Sequence, residues 1–157
     1  MTDRPDPARV VADADVLAAD LLCDGAAREA LDLVRAHSWV SLVASDALLA
    51  DAAAVVATLA DDDLADAWRE RIDELRVRVE QSPGDHPALA SAAAGDAAHL
   101  LSFNDGLRTA RTGAELRPYV DVSVKHPAGF AQLFDPATLH PTVVGGEYPG
   151  PDRDPRA

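Results

Sequence analysis

A three-layer α/β fold, with helices on both faces of a mainly parallel sheet of four or more strands, is what this sequence predicts. Three observations lead there. Short apolar runs alternate along the chain with longer helix-compatible segments, the order that builds parallel strands through helical crossovers. The length, 157 residues, suits one domain with a proper core. Apolar residues make up 48% of the chain and aromatics only 4%, so Ala, Val and Leu must build the interior. With 32 alanines among them, closely packed helices are favoured over a β-sandwich.

Each element can be justified in turn. Residues 1–8 form a polar, Pro-containing lead. Arg9 to Asp13 (RVVAD) is a short apolar run suited to a buried strand. DVLAADLLCDG is helix-compatible and stops at Asp24-Gly25; Ala27, Leu31 and Val34 then recur at helical spacing up to His37. Trp39 to Ala44 (WVSLVA) reads as a second strand. Ser45 or Asp46 can cap the next helix, whose stripe is Leu48, Ala52, Val55 and Leu59. A further helix restarts at Asp61 to Asp63, with Leu64, Trp68, Ile72, Leu75 and Val79 on one face. On its outer face Arg69 pairs with Asp73, and Glu74 with Arg78. SPGD breaks that helix, and Pro87 opens a compact alanine-rich one ending at Gly95. Ala98 to Phe103 (AHLLSF) and Tyr119 to Val124 (YVDVSV) are the third and fourth strands, and Pro127 to Phe134 the closing helix. The domain spans 9–135. Residues 136–157, rich in Pro and Gly among charges, read as a disordered tail.

Charge narrows the setting. Acidic residues number 27 against 14 basic ones, for a formal net charge of −13; 21 of the acids are Asp, and Lys125 is the only lysine. Such a chain repels itself in dilute buffer. Many Asp, many Ala, and Arg in place of Lys fit the cytoplasm of a salt-loving archaeon, with an ordinary acidic protein of a high-GC genome as the alternative. A broad basic nucleic-acid surface is excluded, so any nucleic-acid contact must be local or work at screened ionic strength. Cys23 is alone, so no internal disulfide is possible. No apolar leader or membrane-length stretch occurs, which makes the expected location cytoplasmic.

Four motifs, in order, carry a family resemblance. VVADADVL brings an Asp to the end of a strand. SDALLADAAAVV is a small polar cap followed by a helix with an internal acid. GDHPALASAAAGDAAHLLSFND sets an Asp before an alanine-rich helix and a strand ending in a Ser-Phe-Asn element, and HPAGFAQLF is a Pro-x-x-Phe helix. Over residues 9–134 this series resembles the PIN-domain (PIN-like) nucleases, and the charge pattern that of a haloarchaeal member. The resemblance implies a metal-dependent endonuclease cutting RNA phosphodiester bonds, with Mg²⁺ or Mn²⁺ as cofactor. Some members act as toxins. Its site residues fall on Asp13, Asp51, Asp85, Asn104 and Asp105, with Asp13, Asp51, Asp85 and Asp105 as metal ligands. Expected partners are RNA as substrate, an antitoxin-like protein, and a second copy of the chain as a homodimer; a membrane is not among them. The alternative is a catalytically silent PIN-like binding or scaffold module.

The chemistry gives these positions their sense. Phosphodiester hydrolysis needs hard divalent cations held by carboxylates. Asp13 ends the first strand and Asn104 and Asp105 follow the third, where an open parallel sheet gathers its ligands. Plainer readings stand beside these. Asp13 can be a turn residue, and Asp15 a ligand or a helix cap. Asp51, read onto the apolar stripe, can be a boundary residue reaching solvent, and Asp85 can cap the Pro87 helix. Two departures from the family pattern bear on metal affinity. Asp51 is one methylene shorter than the usual Glu, and Asn104 supplies an oxygen without a charge. Ser102 matches a Thr/Ser that orients a ligand or a water. His37, His86, His99, His126 and His140 show no zinc-like spacing. Arg108, Arg111, Arg117 and Lys125 form the one basic cluster, able to steer a phosphate backbone or merely to balance local charge.

Overall fold

A computed structural model describes residues 6–80, 87–104 and 122–155. The fold is α/β. Its strands are β1 (Asp6–Ala12), β2 (Ser41–Ser45), β3 (Val77–Val79), β4 (Ala97–Leu101) and β5 (Ser123–Lys125). They form one five-stranded, all-parallel sheet in the order β3-β2-β1-β4-β5. Seven helices are described: α1 (Ala14–Leu22), α2 (Ala26–Arg35), α3 (Asp46–Leu59), α4 (Asp62–Leu75), α5 (Pro87–Ala94), α6 (Pro127–Leu133) and α7 (Pro136–Val143). No helix among the described residues is long and apolar enough to cross a membrane.

Why these residues take this order follows from burial. Val10, Val11 and Ala12 are wholly buried, so β1 must be covered on both faces and takes the middle of the sheet. It pairs with β2 through Arg9 and Ser41, and with β4 through Val11 and Leu100. The β1–β4 register shifts between Asp6 and Val10, where Pro7 offers no N–H to the ladder. The crossovers α1–α2 and α3–α4 carry the chain outward from β1 to β3. The return to β4 crosses the sheet the other way, and α5 covers β1, β2 and β4. That return needs a close approach. A Cβ at Gly95 would collide with Val43 Cγ1 and lie 3.2 Å from the Ser91 carbonyl.

Besides β5, found at Ser123–Lys125 where Tyr119–Val124 was expected, with 119–121 outside the described residues, three elements differ from the sequence-based expectation. The first strand starts at Asp6, inside the polar lead. α4 ends at Leu75 instead of running on to Val79, and Val77–Val79 becomes the edge strand β3. Arg76 explains the break: its backbone is extended, and its side chain reaches back to the Ala44 carbonyl (3.1 Å) and to Asp46. Arg69 does pair with Asp73 (3.3 Å), but Arg78 turns to Asp46 and Glu80 and not to Glu74.

The C-terminal segment is the third difference. Pro136 sits in the first turn of α7 and Asp135 caps it, accepting from Ala137 and Thr138. Beyond it, Tyr148 donates or accepts at His37 Nε2 (2.6 Å), and the Asp152 and Arg153 amides both donate to the Ala36 carbonyl. Ser38 donates to Asp152 through its backbone and its hydroxyl. Composition pointed to disorder for 136–157; these long-range contacts hold 136–155 against α2 instead.

Candidate functional site

The site is built where β1 and β4 end side by side. In the order β3-β2-β1-β4-β5 the chain reverses its direction of travel between β1 and β4, which opens a crevice beyond their carboxyl ends. Asp13 stands at that point. Its amide donates to the Leu101 carbonyl (2.9 Å), extending the β1–β4 pairing by one rung. Its side chain caps α1: Oδ1 accepts from the Ala14 amide at 2.8 Å. Ser102, fully buried, donates its hydroxyl to Asp13 Oδ2 at 3.0 Å and accepts the Asn104 amide at 3.0 Å. The Ser102 amide is itself tied to the Lys125 carbonyl (2.9 Å). Ser102 therefore fixes Asp13 and the chain leaving β4 in one network.

Asp15 completes an acid pair. It is exposed, yet surrounding protein desolvates the carboxylate and the Asp13 charge adds to this, so its pKa is raised. The Val16 and Phe103 amides donate to it and pull the other way, without cancelling the rise. Because Asp13 takes the cap, Asp15 is left as a carboxylate held between the first turn of α1 and the chain after β4. Asn104 is exposed on that same segment.

Other candidates stand apart. Asp51 is exposed on α3. The buried stripe of that helix is Leu48, Leu49, Ala52 and Val56, and Leu59 is 70% exposed, so the stripe is rotated from the one the sequence suggested. Asp51 faces water because of that rotation, and no burial cost compels it to find a cation. Asp85 and Asp105 lie outside the described residues, as do His86, Arg108, Arg111 and Arg117. Among the described residues no group of three or more His, Cys, Asp or Glu is placed to hold a metal ion.

One acid at the strand ends was read in the sequence only as a possible helix cap. Asp46, directly after β2, accepts from Arg78 (2.9 Å), Arg76 (2.5 Å) and Arg69 (3.4 Å). Hydrogen bonds from Arg78 and Arg76 hold its carboxyl well below the usual range. It is committed to arginine. The only signal in the sequence was its place after a strand, which Asp13 shares. Lys125 reaches His99 Nδ1 at 3.0 Å across β4 and β5. Burial, then the Lys125 charge, pushes the His99 pKa down to about 4.

No curated protein and no solved structure matches this chain. A family model does match, over residues 4–156, and the protein accordingly belongs to the family of unknown function DUF7384.

Proposed function

We propose that this protein is a divalent-metal-dependent endonuclease acting on RNA, as the PIN-like motif series implies. The observation that carries the reading is the Asp13–Asp15 pair at the crevice between β1 and β4, braced by Ser102 and the Phe103 amide. Asp13 and Asp15 are the residues to hold the cation, with the Asn104 side chain as a neutral oxygen donor on the same segment. The raised pKa of Asp15 supports the fit, since a cation relieves the repulsion that helps to raise it. A bound Mg²⁺ or Mn²⁺ supplies an activated water and neutralises charge on the leaving oxygen. The chain's own part is orientation: Ser102 aims one carboxylate, and the Val16 and Phe103 amides aim the other.

A second reading, a catalytically silent binding module, is favoured by a specific observation. Both Asp13 oxygens already accept hydrogen bonds, and no third acid joins the pair among the described residues. One experiment separates the two. At fixed, high ionic strength, Mn²⁺ should raise the melting temperature, by up to about 2.7 kcal/mol of stability at a hundredfold excess over its dissociation constant. Asp13→Asn and Asp15→Asn should each remove the rise and any cleavage of single-stranded RNA. If Mn²⁺ does no more than added KCl and both variants behave as wild type, the silent module is the function. Cleavage restored or enhanced by Asn104→Asp would identify the missing charge.

A further inference from the structure

A cleft of about 720 Å³ lies between α1, α2, α4 and the C-terminal segment. Its size is that of a small-molecule site. Asp20 and Leu21 line it from the last turn of α1, whereas Asp13 caps the first turn. Seven residues of helix separate the two places, about 10 Å of rise. The cleft is thus distinct from the acid pair.

Its charge is far less negative than that of the molecule as a whole. Four arginines line it: Arg28 and Arg35 from α2, Arg71 from α4, and Arg153 from the C-terminal segment. Asp20, Glu74 and Asp154 stand against them, and Asp32 pairs with Arg35 at 2.6 Å, so these charges balance on a chain whose formal charge is −13. Asp20 is already taken by Arg35, which grips it with two bonds of 2.6 and 2.7 Å.

Arg28 and Arg153 are held differently. With acids so abundant, Arg9, Arg35, Arg69, Arg76 and Arg78 all form ion pairs with carboxylates. Arg28 instead donates to the Asp20 and Leu21 carbonyls, both at 2.9 Å, satisfying the end of α1. Arg153 donates to the His37 carbonyl at 2.9 Å. Neither forms a salt bridge among the described residues, although the Arg153 charge acts on the neighbouring Asp152 carboxylate. Both guanidinium groups are therefore positioned by neutral backbone oxygens, at a cleft whose remaining wall is Leu64, Trp68 and Ile72.

We propose that this cleft binds a small organic oxyanion, its charged end on an arginine held by backbone carbonyls, Arg153 or Arg28, and its apolar or aromatic body on the Trp68 wall. A guanidinium fork matches the paired oxygens of phosphate and carboxylate alike, so that is the shared chemistry. Phenyl phosphate and benzoate are the probes that distinguish the two sources, with inorganic phosphate as the control. Binding is read by tryptophan fluorescence and calorimetry at fixed ionic strength, in KCl sufficient to keep the fold intact by circular dichroism. At least one organic probe should saturate, at least tenfold more tightly than inorganic phosphate. Arg153→Gln should weaken it at least tenfold, and Glu74→Gln, which removes an opposing charge, should strengthen it several-fold. Arg9→Gln, on another surface, and Asp13→Asn should leave it unchanged. The proposal is overturned if neither organic probe saturates, if inorganic phosphate binds as tightly, or if both cleft variants match wild type. Loss of metal binding at the acid pair has no bearing on these outcomes.

Discussion

Asp15 is ionised in the folded protein only against burial and the neighbouring Asp13 charge. The folded chain holds the Asp15 proton more tightly than the unfolded chain does. Its stabilising contribution is therefore complete below the ordinary carboxylate range and lost as pH rises through the raised value. In the presence of chelator, Asp15→Asn should melt above wild type at pH 7, and the gap should close in acid. A variant melting at or below wild type at neutral pH would remove the raised pKa from the account. Gly95 offers a second test at this scale. Since a Cβ there meets Val43 and the Ser91 carbonyl, Gly95→Ala should cost about 1–3 kcal/mol in denaturant unfolding. An unchanged midpoint would mean that α5 can move away from β2. Legibility at the residue scale was uneven. Asp13 and Ser102 were readable, because a strand end and a cap leave local marks. Asp51 was misplaced onto the buried stripe, because a rotation of α3 by one residue preserves the apolar spacing while changing which side of the helix an acid occupies.

At the scale of elements, the turn from α4 into β3 depends on Arg76, only 4% exposed, and on Asp46 beside it. The depressed Asp46 pKa contributes stability that is present above the ordinary carboxylate range and lost as pH falls through the lower value. Asp46→Asn should therefore destabilise the fold at neutral pH, with the difference shrinking in acid. Half of the carboxylate faces solvent, so the effect should not exceed about 1 kcal/mol. Equal melting of variant and wild type at pH 7 would show that Asp73 and the Ala44 carbonyl hold Arg76 unaided. The same turn shows where element reading stops. Leu75 and Val79 continue the helical spacing of Leu64, Trp68 and Ile72, and nothing local forbids another turn. The contact that ends α4 spans 30 residues, from Arg76 to Asp46. Strands β1, β2 and β4 were legible because they are buried apolar runs; β3, an edge strand of three residues, has too little burial to leave a pattern.

For the whole molecule, charge dominates. A formal −13 carried largely by Asp should make thermal stability climb steeply with KCl as self-repulsion is screened. A melting temperature flat from dilute buffer to molar KCl would end the halophile reading. The C-terminal segment was the part of the fold that composition concealed. Its prolines and glycines are those of a solvated tail, and partners about a hundred residues or more away, Ala36, His37 and Ser38 among them, hold it in place. A related separation in sequence bears on how the chain folds as it is made. β1 pairs with β2 after about thirty residues, but its other neighbour, β4, begins at Ala97. Until β4 leaves the ribosome, the central strand of the sheet is an open edge, its buried Val10–Ala12 backbone able to pair with any strand nearby. Long-range parallel pairing is slow to form, and the waiting edge is where nascent chains would stick to one another. The strand that anchors the finished sheet is thus its most vulnerable surface during synthesis.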